Sequence, residues 1–201
     1  SNHSGTVHVQ LSIGGATFDG GVNFVYQLTP RVERIDPVMA MLEGGTLVSL
    51  YGENFVNSGD VLCAFGENVV IADVHTATRV QCKTPQLYEG YHEVRITTNG
   101  QEYFHDGVMI EAIPRASLLE IQPRVGSHEG GALIAIRASS VSARASEMGY
   151  LRCSFGGQEV LGTRRDSETI LCKAPKQRVG IVSVSVTQND QQYSGSLHFE
   201  Y

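Results

Sequence analysis

The chain repeats itself, and the repeat is out of phase with its ends. Residues 60–85 read DVLCAFGENVVIADVHTATRVQCKTP, and residues 150–175 read YLRCSFGGQEVLGTRRDSETILCKAP. Both run Cys-x-Phe-Gly, then polar residues and a short apolar pair, then Cys-Lys-x-Pro. Cys63 and Cys82 thus recur ninety residues later as Cys153 and Cys172. Ahead of each block stand Ile-x-Pro (35–37, 121–123), Glu-Gly-Gly (43–45, 129–131) and an apolar run, TLVSLYG or ALIAIRA. Behind each stands EGYHEVRITTNGQEY or VGIVSVSVTQNDQQY. Self-similarity at so many separated positions is the mark of a repeated module.

The first residues match only the last part of that module. SGTVHVQLSIGGATF aligns with EGYHEVRITTNGQEY, pairing Gly5 with Gly90, Leu11 with Ile96 and Phe18 with Tyr103; GVNFVY then aligns with GVMIEA and SLHFEY. The sequence therefore reads as the C-terminal strands of a truncated unit (1–27) and two complete units (28–114 and 115–201), with joints near Gln27 and Pro114. Both ends read as cuts through a longer polypeptide. A tail of this size cannot bury a core of its own and has to borrow the rest of its sheet.

Alternation states what a unit is built from. Val7, Val9 and Leu11 point one way while His8, Gln10 and Ser12 point the other; Val182, Val184 and Val186 repeat the pattern, as do Leu197, Phe199 and Tyr201. A period of two over five to seven residues, punctuated by Gly, Asn-Gly or Pro, predicts half-buried antiparallel strands. Asn99-Gly100 and Gly14-Gly15 suit tight hairpins that need positive φ, and Asn189-Asp190 suits one less well. The most helix-like stretch, SSVSARASEMG (139–149), is rich in serine and small residues and is expected to be a loop or brief turn. The expected fold class is all-β, with tandem immunoglobulin-like β-sandwiches.

Four chemistries are open to the four cysteines: disulfides, buried free thiols, metal ligands or catalytic thiols. Structural zinc sites usually take close Cys-x2–4-Cys pairs, whereas here no two cysteines lie nearer than nineteen residues. Four cysteines permit three pairings, and the repeat favours the local one, Cys63 with Cys82 and Cys153 with Cys172. Each such loop is worth about 3 kcal/mol in the chain-entropy account. Persistent disulfides belong to an oxidising, extracellular or lumenal setting.

With these residues in view, the chain resembles the IPT/TIG family of immunoglobulin-like domains. The first unit contributes ERIDPVMAMLEGGTLVSLYGENF, VLCAFGENVV, RVQCKTP and EVRITTNGQEY; the second contributes LEIQPRVGSHEGGALIAIRA, LRCSFGGQEV, ILCKAP and VSVSVTQNDQQY. The resemblance implies that Ile-x-Pro opens the first strand, Gly-Gly marks the approach to the second, and Gly52-Glu53-Asn54-Phe55 follows it. The second unit departs from this with Ala138-Ser139-Ser140-Val141, and four additional residues precede Leu151. If Gly52 requires positive φ, Ala138 is strained there, so a rearranged, longer loop is expected, read as neutral drift rather than a contact surface. Gly52, Asn54, Asn99 and Gly100 are the candidate turn residues.

Tandem copies with cysteine pairs resemble those of plexin-like and fibrocystin-like extracellular proteins, which implies a spacer, ligand-contact or adhesion role. Cysteine-poor copies serve as dimerisation domains of Rel-like transcription factors or as accessory domains of carbohydrate-active enzymes, the two alternative functions. With 15 basic and 21 acidic residues the formal charge is −6, which argues against a nucleic-acid partner. No run is long and apolar enough to span a membrane, so membrane attachment is expected only through segments outside this sequence.

No enzymatic motif is found. The seven histidines are scattered, and no metalloprotease helix, phosphate loop or nucleophile elbow occurs. Glu53, Asn54 and Asp60 lack the spacing of a calcium loop. The expected reading is therefore not an enzyme, with no cofactor and no metal. Asn2-His3-Ser4 is an N-glycosylation sequon, with Asn2 the acceptor. Tyr88, Tyr91, Phe104 and Met109 read as sheet packing rather than an interface. The run EAIPRASLLEIQP leaves almost no linker between the full units, so neighbouring repeats of the same chain are expected to touch and bend little. Protein partners or self-association are expected beyond them.

Overall fold

A computed structural model describes residues 4–201, so Asn2 lies outside the described residues. The chain opens with a two-stranded hairpin, β1 (Gly5–Ile13) and β2 (Ala16–Tyr26), turned by Gly14 and Gly15 at φ 58° and 85°. Among the described residues it pairs with no other strand, and its side chains are exposed along both strands.

The first sandwich follows: β3 (Arg31–Asp36), β4 (Met39–Met41), β5 (Leu47–Glu53), β6 (Leu62–Phe65), β7 (Asn68–Thr76), β8 (Arg79–Lys83), β9 (Gly90–Thr97) and β10 (Met109–Ile113). One layer is β3-β5-β8 and the other is β6-β9-β10-β4. Strand β7 serves both, pairing first with β6 (Cys63↔Val70) and then with β8 (Ala72↔Cys82).

The second sandwich repeats the plan with β11 (Ser117–Gln122), β12 (Leu133–Ser139), β13 (Arg152–Phe155), β14 (Gln158–Arg164), β15 (Thr169–Lys173), β16 (Ile181–Thr187) and β17 (Tyr193–Glu200). Its layers are β11-β12-β15 and β13-β16-β17, with β14 crossing between them.

The predicted alternation places the cores. Val48, Leu50, Val80 and Cys82 face Cys63, Phe65, Val94 and Ile96 across the first sandwich; Ile134, Ile136, Ile170 and Cys172 face Cys153, Phe155, Val184 and Val186 across the second. Every one of these residues is at most 1% exposed. β-Branched and aromatic residues at every second position fill the gap between layers while polar neighbours face water. Phe199 packs edge-to-face on Phe155, centroids 5.7 Å apart, and on Tyr201 at 4.9 Å.

Cys63–Cys82 and Cys153–Cys172 are disulfides in the structure, with Cα atoms 6.3 and 6.4 Å apart. Each ties one layer to the other around the crossing strand.

Two expectations need correction. Ser142 caps a short helix, α1 (Ala143–Glu147), within the stretch read as a loop or turn, its hydroxyl accepting from Ala145 N–H at 3.2 Å. Ser and small residues suit a helix start as well as a loop. The glycine at position 52 is also needed for a different reason. The positive φ falls on Asn54 (63°) and on its counterpart Ser140 (57°), whereas a Cβ on Gly52 would lie 1.8 Å from the Arg31 carbonyl oxygen. Asn54 suits the left-handed region, and its side-chain amide donates to the Thr29 carbonyl at 3.0 Å.

Candidate functional site: the joint between the sandwiches

The connection from β10 to β11 is only three residues long, Pro114-Arg115-Ala116, so the two bodies meet at once. Met39 and Met41 of β4, Ile113 at the end of β10 and Ala145 of α1 form one buried cluster, with Tyr150 packed against it. The additional residues of the second unit thus build the helix that closes the joint, which corrects the reading of neutral drift. Alanine is the residue that lets α1 approach this closely; Ala145 is fully buried.

Polar groups ring that cluster. Arg144 of α1 donates to Glu111 Oε2 at 3.0 Å and to the Tyr91 hydroxyl at 3.1 Å, with its guanidinium 5.5 Å from the Tyr91 ring centre. Burial works against the Arg144 charge, but the bonds to Glu111 and Tyr91 raise its pKa above the ordinary value. Tyr150 donates to Asp36 Oδ1 at 3.0 Å; burial first, and then this bond, raise the Tyr150 pKa. Arg115 in the linker donates to Glu43 at 3.2 Å. Tyr91 therefore belongs to an interface, contrary to the sheet-packing expectation, while Tyr88 is 87% exposed and Met109 is exposed at 40%.

The joint is also held by the β16–β17 turn. Asn189 Oδ1 accepts from Thr187 Oγ1 (3.1 Å), Gln191 N (3.3 Å) and Gln192 N (3.0 Å), which fixes the turn. Its counterpart Asn99 does the same with Thr97, Gln101 and Glu102. The positive φ falls on Gly100 (71°) and Asp190 (61°), and Asp tolerates it because side chains of this kind suit the left-handed region.

In the second unit this turn reaches into the first. Asn189 Nδ2 donates to Thr46 Oγ1 at 3.1 Å, Thr46 Oγ1 donates to Gln192 Oε1 at 2.5 Å, and Gln192 Nε2 donates to the Gly44 carbonyl at 3.0 Å. Gln191 makes a two-point contact with one residue of β5. Its Oε1 accepts from Leu47 N at 2.9 Å and its Nε2 donates to Leu47 O at 2.8 Å. Strand β3 pairs with β5 only as far as Ser49, so the Gln191 amide takes the place of a missing strand partner. Sequence reasoning placed contact here from the short linker but missed α1 and the two glutamines. The one legible signal was the pair of departures, additional residues before Leu151 and Gln for Glu102 at position 192.

Among the described residues, no three His, Cys, Asp or Glu side chains converge to hold a metal ion. Glu53, Asn54 and Asp60 form no such cluster.

A model of the IPT/TIG domain matches residues 30–109 and 116–201. Plexin-A4 of Danio rerio is 26% identical over 187 residues, covering 86% of this chain and 10% of that protein. Human fibrocystin-L is 27% identical over 127 residues, covering 62% of this chain and 3% of its own length. The solved extracellular region of plexin A4 superposes with a TM-score of 0.54 at 21% identity, covering 88% of this chain and 18% of that one. That likeness concerns the fold. The chain spans about a tenth of the plexin it matches and less of fibrocystin-L.

Proposed function

Because the chain belongs to the IPT/TIG family and carries two copies of the domain in tandem, we propose that it is a non-catalytic segment of the extracellular part of a larger cell-surface or secreted protein, a semi-rigid spacer that presents binding surfaces to protein partners. The relatives support the setting: plexin-A4 matches across most of the chain, and the solved plexin A4 structure it resembles is an extracellular region. Two disulfides that tie core layers together suit an oxidising compartment, and they speak against the nuclear alternative.

The observation that carries the spacer role is the joint. A flexible tether lets two domains swing, but here a three-residue connection is clamped by Met39, Met41, Ile113 and Ala145 and by Gln191 bonded to both backbone groups of Leu47. Swinging one sandwich away from the other breaks these contacts. Distances between spin labels, one on each sandwich, test the reading directly. A single narrow distribution is expected, and a broad one spanning many ångströms would refute a semi-rigid spacer.

A further inference from the structure

We infer that the outer face of the β3-β5-β8 layer, centred on Tyr51, is a binding site for an acidic polysaccharide, a glycan whose sugars carry sulfate or carboxylate groups beside their hydroxyls. The first full unit, residues 28–114, holds five basic residues against twelve acidic ones. With carboxylates in such excess, each cation should find a partner. Arg31 pairs with Asp106 at 3.6 Å and with Glu53 at 3.9 Å, and Arg95 lies 4.0 Å from Glu93. Among the described residues, Arg34, Arg79 and Lys83 pair with no carboxylate. All three project from this one face, since their neighbours Ile35, Val80 and Cys82 point into the core.

The two arginines are held in place without an acid. Arg34, Tyr51 and Arg79 are register partners in a row across three strands. The Arg34 guanidinium lies over the Tyr51 ring, 3.6 Å from its centre, and that of Arg79 lies 5.9 Å from the same centre. Stacking engages the flat of a guanidinium and leaves its N–H edge free, and that edge matches the paired oxygens of a carboxylate or sulfate. Arg79 is braced by Ser49, whose hydroxyl oxygen accepts from Arg79 Nη2 at 3.3 Å and from Gln81 Nε2 at 3.1 Å. Gln81 is held in turn by His75 at 2.7 Å. The Arg79 Nε–H is covered and meets no acceptor among the described residues. Side chains fixed by such a shell have already lost the freedom that a ligand would otherwise have to remove.

The fold does not ask for this cluster. At the matching positions the second sandwich has Glu120, Ala135, Arg137, Thr169 and Leu171, and it closes on the same plan.

The surrounding groups select the occupant. Lys83 lies four residues along β8 from Arg79, about 13 Å at the rise of a strand, so a small anion cannot meet all three cations and an extended polyanion can. Asp36 and Asp73 flank the same face, paired in register with Ser49 and Gln81. Ionised carboxylates only accept. They repel the phosphates of a nucleic acid and the side chains of an acidic peptide, but they take hydroxyl donors. A polymer that offers anions to Arg34, Arg79 and Lys83 and hydroxyls to Asp36 and Asp73 is an acidic sugar chain. Such polymers fill the space between cells, so the choice of occupant rests on the extracellular setting proposed above.

Isothermal titration of residues 1–201 at physiological salt tests the inference. The ligands are octasaccharides of heparin, hyaluronan and neutral dextran, with a DNA duplex of the same charge as heparin. Binding of heparin or hyaluronan and none of dextran is expected, and comparison of the first two separates sulfate from carboxylate recognition. Arg34→Gln, at an exposed position, is expected to weaken binding by about tenfold or more, the loss of a charge-assisted bond. Tyr51→Leu leaves the charge unchanged and is expected to weaken it by about two- to fivefold, because Arg34 loses its stacking partner. Arg137→Gln in the second sandwich is expected to change nothing. Circular dichroism checks that each variant is folded.

Failure of both acidic glycans to bind would overturn the inference. So would Arg34→Gln binding as tightly as the unaltered chain, or Arg137→Gln weakening binding as much, since the site would then lie elsewhere or be diffuse charge. DNA bound as tightly as heparin would overturn the sugar as occupant. The spin-label distances report only the joint, so a broad distribution there beside tight glycan binding would sink the spacer role and leave this site standing.

Discussion

Replacing Asn189 with Asp separates what the turn needs from what the joint needs. The side chain is fully buried. Its Oδ1 accepts three bonds within the turn, and an Asp oxygen keeps all three. Its Nδ2 donates to Thr46 Oγ1 and to Gln192 Oε1, and an Asp oxygen can donate to neither. Two lost bonds cost about 1 kcal/mol each, and a carboxylate facing the Gln192 carbonyl oxygen out of water adds on the order of 1–3 kcal/mol. Turning the Thr46 hydroxyl from Gln192 to the new carboxylate exchanges one bond for another, so the total stays at about 3–5 kcal/mol. Asn99→Asp is the matched control, because that turn has the same three acceptor bonds and grips nothing in this chain; it should cost at most about 0.5 kcal/mol.

The readout is the Leu47 amide, whose hydrogen bond to Gln191 exists only while the joint is closed. Native-state exchange by NMR should show its protection falling by about 150- to 5,000-fold in Asn189→Asp, the factor that corresponds to about 3–5 kcal/mol. If Leu47 exchanges at the wild-type rate, or if Asn99→Asp has the same effect, the polar clamp described above does not hold the joint.

Three other outcomes are expected. Reducing the disulfides should destabilise each sandwich by about 3 kcal/mol, given closed loops of 19 residues, and urea unfolding with and without reductant measures it. Gly52→Ala should destabilise the first sandwich by about 3 kcal/mol because its methyl meets the Arg31 carbonyl, whereas Ala138→Gly should cost only about 1 kcal/mol; thermal melts of the two variants decide whether the close approach or the turn is what matters. His8 is bonded to Asn23 and then Asp19, and both bonds raise its pKa above 6.5, while the Gly21 amide and then His8 lower that of Asp19 below 3.8. The His8 contribution is complete below 6.5 and fades as pH rises through the raised value. The Asp19 contribution is complete above 3.8 and fades as pH falls through the lowered one. The hairpin should therefore be most ordered between pH 3.8 and 6.5, and an NMR titration of the His8 ring should give a midpoint above 6.5 that Asp19→Asn moves down.

The body of each sandwich was legible because strand alternation and burial are the same fact seen twice. Val184 and Val186 sit where a period of two puts them, and their equivalents Val94 and Ile96 do likewise. The joint was less legible because its parts depend on which loop faces a neighbour, and the period of a strand carries no information about that. Ser142 to Glu147 have the composition of a loop; what makes the segment a helix is the Ser142 cap and the cluster of Met39, Met41 and Ile113 that Ala145 fits against. Gly52 stood out in the sequence, but a sequence shows only that a glycine is present. That the reason is a carbonyl at 1.8 Å from a would-be Cβ and not a left-handed backbone takes three dimensions.

The two-point bond from Gln191 to Leu47 bears on how such a chain survives its own synthesis. Leu47 lies where a strand border would otherwise stay open to pairing with any passing segment, and such borders seed misassembly between neighbouring repeats. Translation delivers the N-terminal sandwich first, so its border waits bare until the C-terminal one has emerged and folded far enough to present Gln191. The first sandwich is insulated by the second, and the interval between the two folding events is when crosslinking or aggregation of the nascent chain should be greatest.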